Sequence, residues 1–491
     1  MALSRNLPAP PARAEPGTNQ PPRWPVALVA SGCLVANLIL SLARWHRDET
    51  PSWDLAIFTQ AVKGYAHLGA PVVDIKGAGF NQLGDHFSPI LVLLAPFYRW
   101  FASPVTLLVA QCLLVAASVL VVGWCAQRHL GARPGLYLGL AYGLSWGLQT
   151  GVDAQFHEYA FAVPILALAL AAYLDGKWLG AALWAGSLLL VKEDLGFTAL
   201  MLGGVMAVEG HWRLRQAVPD AARQRRIGLV LAAVSTAATG LIFAVIMPVF
   251  NPNGRWDYWG QLGGEATAEG FWGRLTGLFT PAVKVNLLVL LAALVAGSLV
   301  LSRLAVLLLP TLAWRLISPV EFHWGTGFHY SMILMPIVFL AAVDALVRLQ
   351  DSPSPKVRRY ARWVPGLAAG FAVVSLAFFP LGSLVKPSTY TPSERAAQTK
   401  AVLALIPEGA SVATDRGLIV HLVVDHQVFW LGKDHMAPDY VLIDPTAGWS
   451  EDPGDPASLA EGYYPGHRYQ TVDLSNLAES YRLAQQVDPI G

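Results

Sequence analysis

The chain has 491 residues, 54% of them hydrophobic and only 14% charged. Soluble domains carry about 45–50% apolar and about 25% charged residues, so this composition argues against a soluble enzyme. The 34 Lys and Arg against 33 Asp and Glu leave a formal charge of +1, which excludes binding of nucleic acid through a broad basic field.

Long apolar stretches dominate to about residue 383, after which the composition becomes that of a water-soluble segment. The expected organisation is a cytoplasmic tail over 1–23, an α-helical multi-pass membrane domain over 24–383 and a small extracytoplasmic α/β domain over 384–491. The run from Trp24 to Ala43 is too long for a signal-peptide core and lacks a small-residue cleavage site, so it reads as a retained first helix. Further apolar runs fall at about 104–126, 135–150, 160–175, 178–191, 195–208, 227–250, 283–301, 304–317, 331–347 and 364–383, which gives about eleven membrane helices. Ile90 to Phe101, interrupted by Pro96 and ending in Tyr98, Arg99 and Trp100, reads as an interfacial or re-entrant segment. Cys33, Cys112 and Cys125 lie inside apolar runs with no paired spacing and are expected to be packing residues.

Positive charge stays on the cytoplasmic side of a bilayer. With the N-terminus inside, alternate loops place Arg128 and Arg133, then Lys177, then Arg213 to Arg226, then Arg303, then Arg348 to Arg362 on the same side. The expected setting is a bacterial cytoplasmic membrane with the C-terminal domain outside. The outer loops are acidic and rich in His and Trp: Trp53, Asp54 and Gln60 in WDLAIFTQ; Asp85 and His86 in NQLGDHFSP; Asp153, His157 and Glu158 in DAQFHEY; Lys192, Glu193 and Asp194; and Glu321, His323, His329 and Tyr330. A charged side chain at a helix centre opposes insertion by about 2.5–3.5 kcal/mol, so a group of carboxylates at one rim points to a water-filled functional cavity. The competing reading is that these are polar loop ends and interfacial aromatics.

Paired carboxylates suit a transfer reaction, one as general base on an acceptor hydroxyl and another positioning a leaving phosphate or a metal. Asp54 and Glu158 are the candidate catalytic carboxylates. Trp53 and Phe58 would desolvate Asp54; it is equally placed to cap a short helix through Ile57 and Ala61. Candidate substrate-binding residues are Trp53, Gln60, Asp85, His86, His157, Lys192, Glu193, Asp194, Arg315, His329 and Tyr330. Lys192 and Arg315 suit a phosphate oxyanion, or each pairs with a neighbouring carboxylate. Asp54, Asp153 and Glu158 are the candidate ligands should a divalent metal such as Mg²⁺ or Mn²⁺ take part, although no compact two-His metal motif is present.

The pieces WDLAIFTQ, LGDHFSPILVLLAPFY, FHEYAFAVP, LLVKEDLGF and FHYS together resemble a family of uncharacterised bacterial multi-pass membrane proteins, a domain-of-unknown-function family related to the GT-C glycosyltransferases. The resemblance implies a GT-C-like fold, a catalytic or metal-proximal Asp in the first outer loop, matched by Asp54, and a second acidic element, matched by Asp153 and Glu158. It also implies a polyprenyl-phosphate sugar as donor. The sequence departs from those enzymes in lacking a clear Asp-x-Asp pair and the oligosaccharyltransferase acceptor motif, so metal and acceptor do not follow from it.

In the soluble part, SERAAQTKAVLALIP has helical spacing with Ser393 as cap, and SVAT, QVFWL and DYVLIDP read as short strands. Asp415, His421, Asp425, His426, Asp434 and His435 read as solvated loop residues rather than metal ligands. A final helix is expected from Ser475 to Gln486. The function expected is sugar transfer from a polyprenyl-phosphate donor to an extracytoplasmic glycan, lipid or protein acceptor, the alternative being a non-catalytic transporter or lipid-handling protein.

Overall fold

A computed structural model describes residues 21–49, 53–255, 277–433, 436–449, 451–478 and 480–487. Most of the 1–23 tail, the centre of the loop between 251 and 281, and Asp434 and His435 lie outside the described residues.

Four helices among the described residues are long and apolar enough to cross a membrane: Trp24–His46, Pro104–Leu130, Ala221–Phe250 and Pro355–Phe378. Shorter apolar helices include Pro89–Trp100, Tyr159–Leu174, Trp178–Leu190 and Ala282–Ala293. Several apolar runs are broken rather than continuous. The 135–150 run divides into Ala132–Gly143 and Trp146–Asp153, with Ser145 extended between them. The 304–317 run is a 3₁₀ turn over Arg303–Leu308 followed by an α-helix over Leu309–Ile317, which starts where Pro310 supplies a preset φ. These pieces fall short of the roughly 20 residues that span a bilayer unaided, so helix number cannot be counted from apolar runs alone.

Local chemistry sets the long helices. Pro104–Leu130 starts at Ser103, whose hydroxyl accepts from the Val105 N–H at 3.2 Å, and stops at Gly131 with φ of 96°. Leu195–Arg215 and Ala221–Leu241 form a tight antiparallel pair. A Cβ at Gly203 would lie 2.7 Å from the Ala232 nitrogen, and one at Gly228 would lie 2.6 Å from the Ala207 nitrogen, so glycine lets the two backbones touch. Cys33, Cys112 and Cys125 are buried free thiols, as expected. In the 89–101 segment, Leu91, Leu94, Ala95 and Tyr98 are buried while Val92, Leu93, Phe97, Trp100 and Phe101 are exposed, the pattern of a segment with one apolar face on protein and another left for lipid.

The C-terminal part is a five-stranded sheet in the order β2-β1-β3-β5-β4, with β1 at Ser411–Thr414, β2 at Gln427–Trp430, β3 at Tyr440–Ile443, β4 at Arg468–Val472 and β5 at Arg482–Val487. The three strands read from the sequence run parallel, and β5 joins antiparallel to both β3 and β4. The helix capped by Ser393 is present as Glu394–Leu403, with Ser393 Oγ accepting from the Ala396 N–H at 3.0 Å. The expected final helix from Ser475 to Gln486 is not formed. Leu483 and Ala484 are both buried but belong to different apolar clusters, which suits a strand inside a sheet, and pairing on two sides outweighs local helical propensity.

Strand alternation assigns the two sheet faces. Val412, Val428, Leu442 and Leu483 join the same apolar cluster as the membrane helices, while Ala413, Phe429, Val441 and Ala484 pack with Tyr464 and Tyr469 on the far side. One sheet face is therefore seated on the helical domain.

Candidate active site

The Asp54–Ala66 helix organises the site. It begins at Asp54 itself, with Trp53 in the cap position, so the carboxylate occupies the first turn and not the cap of its alternative reading. There it stabilises the positive end of the helix dipole. At about 100° per residue, Asp54 and Phe58 share one face, and Trp53, Gln60 and Lys63 share another. The first face meets His157. Asp54 Oδ2 lies 3.3 Å from His157 Nε2, and Phe58 packs edge-on against the His157 and Phe156 rings. The second face meets the C-terminal sheet: Gln60 donates to the Val428 carbonyl at 3.0 Å, Lys63 to those of Val423 and Val424 at 3.0 and 2.7 Å, and Trp53 touches Trp430. Gln60 also accepts from the Ile75 N–H at 3.2 Å. Both halves of its amide are thus engaged in holding domain and loop together.

His157 is fixed from several directions. Its backbone N–H donates to Gln111 Oε1 at 3.1 Å, Nδ1 donates to the Gln155 carbonyl at 3.1 Å, and the ring stacks on His329 with centroids 3.6 Å apart. His329 in turn lies against Tyr330 and Tyr159, at 4.2 and 5.5 Å between centroids. Burial and the neighbouring His157, Lys192, His86 and Arg315 keep the His329 imidazole well below the usual histidine range, so this ring is a neutral wall.

Next along the chain Glu158 pairs with Lys192, whose ammonium also sits 5.1 Å from the Tyr159 ring centre. The side chain of Glu158 is 1% exposed and that of Lys192 13%, making this a nearly dry ion pair. Tyr159 donates to Asp194 Oδ2 at 3.1 Å. Burial pushes the Asp194 carboxyl up to about 6, with Lys192 opposing. Glu193 accepts from His86 Nδ1 and from the Phe87 N–H, both at 3.0 Å. Asp85 pairs with Lys76 and lies 3.6 Å from His86 Nε2. Burial opposes both carboxylates, but His86 with Lys76 outweighs it at Asp85, and His86 with Lys192 outweighs it at Glu193, so both are held below the ordinary range. His86 is raised: burial and Lys192 work against its charged form, and Asp85 and Glu193 prevail.

The structure therefore brings Asp54, His157, Glu158, Lys192, His329 and Tyr330 into one connected group, with Asp85, His86, Glu193 and Asp194 continuous with it. Arg315 is engaged with backbone and hydroxyl oxygen: Nε to the His323 carbonyl at 2.8 Å, one terminal nitrogen to Gly325 at 2.6 Å and the other to Ser331 Oγ at 3.0 Å. It pins the 318–331 loop beneath Tyr330, whose ring centre is 5.8 Å away. Asp153 is taken by Arg44 at 2.7 Å. With Glu158 on Lys192 and Asp54 on His157, the three candidate metal carboxylates do not converge, and among the described residues no group of three His, Cys, Asp or Glu could hold a metal ion. The residues do not fit a metal there.

Sequence reasoning overlooked Lys76, Lys63, Gln111 and Trp430. Lys76 was open to discovery as the cation within the same short loop as Asp85; the others act across long chain separations that one sequence does not reveal.

Two solved structures share the fold across nearly the whole chain. ArnT from Cupriavidus metallidurans bound to undecaprenyl phosphate aligns with a TM-score of 0.55 at 13% identity, covering 94% of this chain and 97% of that one. The apo state of the same protein aligns with a TM-score of 0.53 at 14% identity, covering 93% and 98%. No curated protein matches the chain. The family described as "Predicted membrane protein (DUF2079)" matches residues 49–476, and the chain belongs to that family.

Proposed function

We propose that this protein is a GT-C-type glycosyltransferase that moves a sugar from a polyprenyl-phosphate donor to an acceptor hydroxyl at the outer face of the bacterial cytoplasmic membrane. The observation that carries the reading is the Asp54–His157 pair, standing at the start of a helix beside the buried Lys192–Glu158 pair. The fold likeness to ArnT, one of whose structures contains undecaprenyl phosphate, supports the lipid donor.

In this reading Asp54, with its side chain 35% exposed, accepts the proton of the acceptor hydroxyl as that oxygen attacks the anomeric carbon. The bond from the anomeric carbon to the phosphate oxygen breaks, the electron pair leaves with the polyprenyl phosphate, and the sugar inverts. His157, with Nε2 3.3 Å from Asp54 Oδ2, positions that carboxylate. Lys192 and His86 offset the charge of the departing phosphate. Glu158 Oε2 and His329 Nδ1, both buried, have no hydrogen-bond partner among the described residues, which leaves bonding capacity for a polar ligand.

The test is label transfer from radiolabelled polyprenyl-phosphate sugars by purified protein in lipid, comparing wild type with Asp54→Asn. Transfer should fall by about 10²-fold or more, the scale of removing a general base, with the protein still folded. Equal transfer by both would remove Asp54 from the mechanism; uptake into vesicles without transfer would favour a transporter.

A further inference from the structure

The Trp53 and Trp430 rings meet edge to face, with centroids 4.7 Å apart and planes at 65°. One ring comes from the helical domain, directly before Asp54, and the other ends β2 of the C-terminal sheet. Each packs against the common apolar cluster on one side and stays only half-buried. Next to the pair, the seam is bonded by Gln60 and Lys63 to β2 and the turn preceding it, and by Gln427 donating to Asp74 Oδ2 at 3.2 Å. The buried Asp48 carboxylate lies 2.5 Å from His421 Nε2 and 3.3 Å from Arg395 Nε.

Two half-buried indoles meeting edge to face, beside the Asp54 carboxylate, suit a ligand with an apolar face and a polar rim. An aromatic face is electron-rich and its edge is not; a pyranose ring offers polarised C–H groups on its flat side and hydroxyls around its edge. A peptide added as an extra strand is disfavoured, because the Val428 carbonyl on the outer edge of β2 is already taken by Gln60. We propose that Trp53 and Trp430 form a two-domain platform for the acceptor, and that the acceptor presents a sugar ring there. The proposal rests on the glycosyl-transfer reading and names the acceptor class.

The test uses full-length protein in lipid nanodiscs without donor, and saturation-transfer NMR with tetrasaccharides of glucose, mannose, galactose and N-acetylglucosamine. At least one should receive saturation at its ring C–H protons, with affinity falling about tenfold in Trp430→Ala, the worth of one aromatic contact. Trp363→Ala, at a residue 64% exposed on the Pro355–Ser375 helix, should leave it unchanged. If Trp430→Ala unseats the sheet, seen as lost amide protection in β2, then Trp53→Leu and Trp430→Leu fill the seam without an aromatic face and carry the same expectation. Binding by none of the four sugars, or binding indifferent to both tryptophans, overturns the platform. Saccharide binding without label transfer would keep it and remove the transferase reading, whereas transfer to a lipid or peptide with no saccharide binding would do the reverse.

Discussion

Lys192→Met isolates the energetic centre of the site. The wild-type ammonium faces the Glu158 carboxylate in a setting where only 1% of the Glu158 side chain is exposed, and breaking such a pair from one side destabilises a protein by about 3–5 kcal/mol. The loss has a ceiling, because a stranded buried carboxylate can take up a proton instead. For a glutamic acid with the ordinary value of about 4.3, that uptake costs about 3.7 kcal/mol at pH 7 and about 1 kcal/mol at pH 5. Reversible denaturant titration in mixed micelles should therefore show Lys192→Met destabilised by about 3–4 kcal/mol at pH 7 and by about 1 kcal/mol at pH 5. At pH 7, Lys192→Met with Glu158→Gln, which removes both charges, should recover all but about 1–2 kcal/mol. A loss equal at the two pH values, or a double variant as unstable as the single one at pH 7, would refute the claim that an unpaired buried charge is what the substitution creates.

Gly84 packs against the chain at 250–251, and a Cβ there would lie 2.5 Å from the Asn251 nitrogen, so Gly84→Ala should destabilise by about 1–3 kcal/mol; Gly32, with nothing within 4 Å of its Cβ position and a helical backbone, should be neutral or slightly stabilised by Ala in the same titration. The loop carrying Asp85 and His86 should show its greatest hydrogen-exchange protection at mildly acidic pH. The raised His86 contributes fully below about 6.5 and loses its contribution as pH climbs through its higher folded value, whereas the lowered Asp85 and Glu193 contribute above about 4 and lose theirs as pH falls through their lower folded values. His86→Asn should abolish the alkaline limb alone, and an unchanged limb would exclude the ring as its source. Gln60→Ala and Lys63→Ala should each raise exchange in β2 without changing exchange in the Pro104–Leu130 helix, since each removes bonds across the seam worth about 1 kcal/mol apiece.

The residue types of the candidate site were legible because their cost in an apolar chain is large. Their pairing was not. Asp54 and His157 stand in different loops, and so do His86 and Glu193; one sequence records neither contact. Gln60 shows the limit of a motif. It sits in WDLAIFTQ with Asp54 and so reads as a substrate residue, but six residues along a helix turn it about 120° from Asp54, onto the face that grips the C-terminal sheet. Arg315 shows another: a cation near acids suggests phosphate, yet a loop made of carbonyls and one serine hydroxyl already uses its fork. The β5 segment misled because its local helical spacing is real, and only the presence of two antiparallel partners decides against it.

The Asp54–Ala66 helix makes the two parts of the chain one device. Every residue from Leu55 to Val62 is buried, because the bundle covers one side and the C-terminal sheet the other. Without the sheet, the Gln60 amide and the Lys63 ammonium would lose their carbonyl partners and an apolar face would meet water. The carboxylate at the head of that helix is placed by contacts more than 300 residues away in the chain, so the position of Asp54 relative to His157 is a property of the seated sheet as much as of the membrane bundle.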